Sequence, residues 1–229
     1  MALFTADKSL IPVFGQSSSL KKALITNFAG DGITTYNTGA GGGITRGNLF
    51  LRTNAGTDTT GHAGIRARDF FPRLAPNGND LLAINFAYPF TVSCQFTSSN
   101  APRGGSNRFY LGGTSSYTVG DNTKKCIGFR VLDETIYAAF HDGTNYSEPD
   151  STSANLANTT TLTNTTIHIQ NVGNGTVIWY ANGVQFASTA SGPTGSTAHV
   201  ECNLLISAAN SVGNVSTYLD YAYIFFDFQ

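Results

Sequence analysis

The sequence predicts an all-β protein built as an antiparallel two-sheet sandwich. Three observations point there. Short runs rich in Val, Ile, Thr, Tyr and Phe recur along the chain, separated by Gly, Asn, Asp, Ser and Thr. Asn-Gly and Asp-Gly pairs stand between such runs, where tight hairpins need residues that tolerate positive φ. Helical periodicity is nearly absent. Its one modest instance is Ser18 to Phe28, where Leu20, Ala23, Leu24 and Phe28 fall at helix-like spacing.

Taken in order, the expected strands are Leu49 to Thr53, Phe90 to Phe96, Arg108 to Leu111 and Lys125 to Leu132. Glu134 to Phe140 and Asn145-Tyr146 flank His141-Asp-Gly-Thr144 as one hairpin. Thr166 to Asn171 follows. Thr176 to Ala181 and Val184 to Ser188 flank Asn182-Gly183 as a second hairpin, and Val200 to Ser207 comes next. The final run, Thr217 to Phe228, is aromatic on both faces, so it is expected to lie between packed layers or under a partner subunit. The first 45 residues lack alternation and end near Gly39-Ala-Gly-Gly-Gly43, which reads as a hinge. A phosphate loop would need a Lys-Ser/Thr pair and a helix to follow, and Ile44-Thr-Arg-Gly47 offers neither. The chain therefore divides into an irregular N-terminal arm, 1–45, and a β domain, 46–229.

Composition narrows the function. The 229 residues carry 12% charged side chains and a net charge of −1. Charged residues usually make up about 25% of a soluble domain. No basic footprint for nucleic acid is present. No apolar run approaches the roughly 20 residues that span a bilayer. Met1 to Leu10 shows no basic segment followed by an apolar one, so no secretory leader is expected. Cys94, Cys126 and Cys202 lie far apart in apolar or alternating runs and read as small buried hydrophobes rather than disulfide or zinc partners.

The segment from about Val92 to Phe226 resembles a concanavalin A-like lectin/glucanase domain, the jelly roll also seen in laminin-G-type modules. The resemblance is carried by Phe90-Thr-Val-Ser-Cys-Gln-Phe96, Ile127-Gly-Phe-Arg-Val-Leu132 and Ile136-Tyr-Ala-Ala-Phe-His-Asp-Gly143. It continues through Thr166-Ile-His-Ile-Gln170, Val177-Ile-Trp-Tyr-Ala-Asn-Gly-Val184 and Leu219-Asp-Tyr-Ala-Tyr-Ile-Phe225. It implies two facing antiparallel sheets, one of them able to hold a glycan, and it implies fold more strongly than activity. In its style of composition the whole chain is similar to virion structural proteins of tailed phages, such as capsid decoration, fibre and tail components. That likeness implies a virion location, a homo-oligomer and contact with other virion proteins.

Catalysis is not expected. Glycoside hydrolysis needs two carboxylates flanking one bond, and the resembling glucanases draw them from alternating positions of one strand. This chain has three glutamates, Glu134, Glu148 and Glu201, and only Glu148 has an acidic residue two positions away, Asp150 across Pro149. His62, His141, His168 and His199 occur without a Gly-x-Ser-x-Gly elbow. No cofactor is expected. Calcium is the one ion the loops suit, through Asp142 and Asn145, which serve equally as turn formers.

Binding has better candidates. Tyr180, Tyr221 and Tyr223 are expected to stack on a cell-surface glycan, with Trp179 turned to the core. Phe4, Ile11 and Phe14 of the arm, with Arg66, Arg68, Phe70 and Phe71, are expected at a subunit interface. The function expected is thus a non-enzymatic virion structural protein, with a carbohydrate-binding or receptor-binding module as the alternative.

Overall fold

The computed structural model describes residues 22–25, 33–38, 43–46, 51–54, 62–67, 84–97, 105–112, 125–132, 135–149, 154–155, 164–195, 204–210 and 218–228. In chain order these form β1 (Lys22–Ile25), β2 (Ile33–Thr38), β3 (Gly43–Arg46), β4 (Leu51–Asn54), β5 (His62–Ala67), β6 (Phe90–Thr97), β7 (Gly105–Gly112) and β8 (Cys126–Leu132). There follow β9 (Thr135–His141), β10 (Tyr146–Ser147), β11 (Ala154–Asn155), β12 (Thr165–Gly173), β13 (Thr176–Ala181), β14 (Val184–Thr189), β15 (Leu204–Asn210) and β16 (Tyr218–Phe228). They make two antiparallel sheets, a jelly-roll sandwich. Sheet A runs β14-β13-β12-β6-β16-β4-β3, with β1 also on β16. Sheet B runs β10-β9-β8-β7-β15-β5-β2, with β11 also on β9.

Alternation sets the inner faces. In β6, Phe90, Val92, Cys94 and Phe96 are buried, while Thr91, Ser93, Gln95 and Thr97 are half-buried. In β12, Thr165, Ile167, Ile169 and Asn171 turn inward. Ile127, Phe129 and Val131 of β8 meet them from sheet B, with Ile136, Ala138 and Phe140 of β9. Aromatic rings lock the layers together. Phe129 of sheet B stacks on Phe96 of sheet A at 5.6 Å and on Phe109 of β7 at 5.3 Å. Trp179 of β13 is fully buried, and its indole N–H donates to the Gly128 carbonyl of β8 at 2.8 Å. That bond crosses between the sheets and satisfies a polar atom that would be costly to bury alone.

The second expected hairpin has the anticipated turn. Asn182 and Gly183 both have positive φ, 49° and 82°, as a type I′ turn requires. The first hairpin differs. Of Asp142 and Gly143 only Gly143 has positive φ, 108°. The loop is held instead by the Asp142 carboxylate, which accepts the amides of Thr144 at 2.6 Å and Asn145 at 2.7 Å. A further Asn-Gly turn, Asn174-Gly175, joins β12 to β13 with φ of 53° and 85°.

Two differences concern the start of the chain. The helix-like spacing at 18–28 contains a strand, because β1 pairs along β16 from Lys22↔Asp227 to Ile25↔Ile224. A helix that short is marginal by itself, whereas the edge of β16 offers a ready ladder. The stretch expected as an irregular arm also supplies β2, paired with β5, and β3, paired with β4. The chain thus stands in sheet B at Thr38 and in sheet A from Gly43, the last residue of the glycine run. Residues 1–21 lie outside the described residues.

The long final strand is central within sheet A, but its two faces differ: Tyr221, Ile224 and Phe226 are buried, whereas Tyr223, Phe225 and Asp227 are half-buried and Ala222 is exposed. One edge of β16 pairs with β6, and the other with β4 and then β1.

Candidate functional site

The residues that alternate with the core on sheet B form the candidate site. In register across the strands, Arg108 of β7 lies beside Arg130 of β8, and Arg130 beside Tyr137 of β9. The next row is Tyr110, Gly128 and Ala139. The row after that is Gly112, Cys126, His141 and Tyr146. Phe109, Ile127, Phe129, Ile136, Ala138 and Phe140 belong to the core, so this alternate set faces away from sheet A.

Its floor is apolar. Tyr110, Cys126 and Ala139 are buried together, and Tyr146 packs on them. Gly128 leaves room for the Tyr110 ring, since a Cβ at that position would lie 2.7 Å from Tyr110 Cδ1. Over this floor stands a polar network. Arg130 donates through Nε to Glu148 Oε1 at 2.6 Å and through Nη2 to Oε2 at 2.7 Å, a bidentate pair. The Tyr146 hydroxyl donates to Glu148 Oε1 at 2.6 Å, and the Tyr110 and Tyr146 hydroxyls lie 3.4 Å apart. The Arg130 guanidinium sits 4.6 Å over the Tyr137 ring, a cation–π contact.

The ionisation of the network follows from these contacts. Burial alone would raise the Glu148 carboxyl, but the Arg130 and Tyr146 hydrogen bonds and the charges of Arg130 and Arg108 hold it below the usual range. Arg130 is likewise desolvated, yet the Glu148 carboxylate keeps its guanidinium even harder to deprotonate. Burial pushes the Tyr110 phenol up to about 12. The Tyr146 phenol is driven up too, by burial first and then by Tyr110 and Glu148. Glu148 therefore stays an anion and both tyrosines stay hydroxyl donors.

The residues expected at a site are distributed differently. Tyr221, expected to stack on a glycan, is fully buried between the sheets, 5.8 Å from the Phe96 ring. The cause is a β-bulge. Tyr221 pairs with Phe96 and Tyr223 with Gln95, so Ala222 is an extra residue that resets the alternation. Tyr180 and Tyr223 do share one face, the outer face of sheet A. They stand three strands apart and in different rows, since Tyr180 lines up with His168, Ser93 and Phe225 whereas Tyr223 pairs with Gln95, so more than about 14 Å separates them. Between them Ser93 Oγ lies 2.7 Å from His168 Nδ1, and the His168 ring lies 5.7 Å from Tyr180. Burial lowers the His168 pKa.

Asp142 and Asn145 are engaged in the turn. Among the described residues no group of three or more His, Cys, Asp or Glu side chains could hold a metal ion. Arg66 lies in β5, paired with Leu205 and Thr34. Phe4, Ile11, Phe14, Arg68, Phe70 and Phe71 lie outside the described residues. Sequence reading missed the Arg130–Glu148 pair, since nothing local links residues 18 apart. Arg108, Tyr110, Arg130 and Tyr137 do carry a signal, because each alternates with an apolar residue in its strand.

No family model matches the chain, and no curated protein matches it. Solved structures do. A protein described as a native glycosidic hydrolase superposes with a TM-score of 0.57 at 10% identity, over 90% of this chain and 94% of that one. A Bacillus licheniformis β-glucanase gives 0.52 at 11%, over 87% and 94%. A protein of unknown function from Shewanella oneidensis MR-1 gives 0.52 at 9%, over 100% and 95%. The likeness is one of fold, the jelly roll of the lectin/glucanase type.

Proposed function

We propose that the chain is a non-enzymatic recognition protein that holds a glycan on the outer face of sheet B. The observation that carries this reading is the Arg130–Glu148–Tyr146–Tyr110 network on its apolar floor, with Tyr137 alongside. A sugar presents hydroxyls that donate and accept, and ring faces that are apolar. The network offers donors, a carboxylate acceptor and an aromatic ring in one place. Two of the similar folds carry names of carbohydrate-acting enzymes, which supports a carbohydrate as the ligand. Binding is favoured over hydrolysis because Glu148 is fixed as an anion by Arg130 and is poorly suited to give up a proton as a general acid.

The test is a glycan array on the full chain, followed by calorimetry with Tyr137→Ala and with Tyr180→Ala from the opposite sheet. Tyr137→Ala should weaken binding by about tenfold or more, the equivalent of one lost stacking contact. Tyr180→Ala should leave it unchanged. Loss of binding in Tyr180→Ala alone would move the site to sheet A, and a blank array would remove the glycan reading.

A second reading concerns the setting. We infer a virion structural role, as a capsid decoration, tail or fibre component that contacts other virion proteins and copies of itself. A charged fraction of only 12% and a chain rich in Gly, Ser, Thr and Asn support it. Quantitative mass spectrometry of purified particles tests it. A fixed, high copy number marks a shell component, a few copies mark a tail or fibre, and absence removes the reading.

A further inference from the structure

We propose that the glycan taken by this face is acidic, and that its carboxylate enters the Arg130 fork in place of Glu148. The inference rests on the reading that the outer face of sheet B holds a glycan.

Four observations carry it. Arg108 and Arg130 are direct cross-strand partners on one face. Glu148 already lies within reach of both charges, and Arg130 and Arg108 each help keep its carboxyl ionised. The fork is already shaped for a carboxylate, since both oxygens of Glu148 are held, at 2.6 and 2.7 Å, with the Tyr146 hydroxyl as a third donor at 2.6 Å. The fork also has its own support, because the Tyr137 ring lies 4.6 Å from the guanidinium and does not depend on Glu148.

The fourth observation concerns how Glu148 is held. It belongs to no strand and follows β10, an edge strand of two residues, Tyr146–Ser147. Its removal from Arg130 therefore breaks two side-chain bonds and the Tyr146 contact without opening a long ladder. Glu148 is thus an internal occupant of a carboxylate site, and a uronic or other acidic sugar is the external one. A neutral sugar has no group to exchange for it.

The experiment uses the full chain, wild type and Glu148→Gln, with three probes. These are a glucuronate-bearing tetrasaccharide, its neutral glucose counterpart and a sulfated counterpart lacking carboxylates. Folding of the variant is checked by melting and by Trp179 emission. The wild type should prefer the glucuronate probe to the neutral one. Glu148→Gln should bind the glucuronate probe about tenfold tighter, because one charge-assisted competitor is gone, and should widen the preference for that probe over the neutral one.

Equal binding of the glucuronate probe by both proteins overturns the exchange and leaves glycan binding standing. So does a wild-type preference for the neutral probe, which decides the matter alone if the variant does not fold. A sulfated probe that binds as well as the glucuronate probe overturns the carboxylate assignment. Failure of all three probes overturns both this inference and the reading beneath it.

Discussion

Gly128→Ala should damage both the fold and the candidate site. Gly128 lies under the Tyr110 ring, and its carbonyl accepts the Trp179 indole. A Cβ there would run into the Phe109 carbonyl oxygen and sit 2.8 Å from the Phe109 carbonyl carbon and 2.7 Å from Tyr110 Cδ1. Carbon atoms prefer separations of about 3.5–4.0 Å. The Tyr110 ring has some freedom to move, but Phe109 belongs to the paired backbone, so the β7–β8 ladder must open. Overpacking of this kind costs about 1–3 kcal/mol. One or two weakened ladder bonds add about 1 kcal/mol each. A total near 3 kcal/mol, with a urea slope of about 2–3 kcal/mol per molar, lowers the midpoint by about 1 M. The assay is urea unfolding followed by the emission of Trp179, the chain's sole tryptophan. A midpoint within about 0.2 M of wild type, well inside the predicted shift, would show that the strands have slack here and would refute the reasoning.

Three other outcomes are expected. Tyr221→Phe removes a buried hydroxyl that has no hydrogen-bond partner among the described residues, so stability should hold or rise by about 1 kcal/mol, and a melting curve checks it. Asn182→Ala places alanine at positive φ and loses the side-chain oxygen that accepts the Thr166 amide at 2.9 Å, so it should cost about 1–2 kcal/mol, while Asn182→Gly should recover the part due to φ. Stability should also fall on acidification. Burial lowers the pKa of His141, partly opposed by Asp142, and of His168, while its contacts with Arg130 and Tyr146 hold Glu148 low. In each case the unfolded chain takes up protons first. The loss begins near pH 6.5 for the histidines and steepens below about pH 4.3 for Glu148, as ordinary values for those groups require. Equilibrium unfolding across pH measures this, and Glu148→Gln should flatten the lower limb.

Alternation made the inner faces of β6, β8, β12 and β13 legible, because each residue in a strand reports on one side of a sheet. It placed Trp179 inside. It misplaced Tyr221, since a single extra residue at Ala222 inverts everything before it and no residue type marks a bulge that has no glycine. The start of the chain was illegible for a related reason. β1 is four residues long and owes its conformation to the β16 edge, a partner some 200 positions later. The candidate site was half legible. Arg130 and Tyr137 follow from the strand pattern, whereas Glu148 acts from outside any strand, where periodicity carries no information.

The position of β16 has a consequence during synthesis. It is made after every other described strand, yet it stands between β6 and the β4 and β1 ladders of sheet A. Until residues 218–228 leave the ribosome, Val92, Cys94 and Phe96 have no neighbour on that edge. The nascent chain therefore carries an open, aromatic-rich strand edge while residues 98–217 are made, a condition that favours pairing with other chains. Closure of the sandwich is in effect a single late event, with long-range contacts that form slowly.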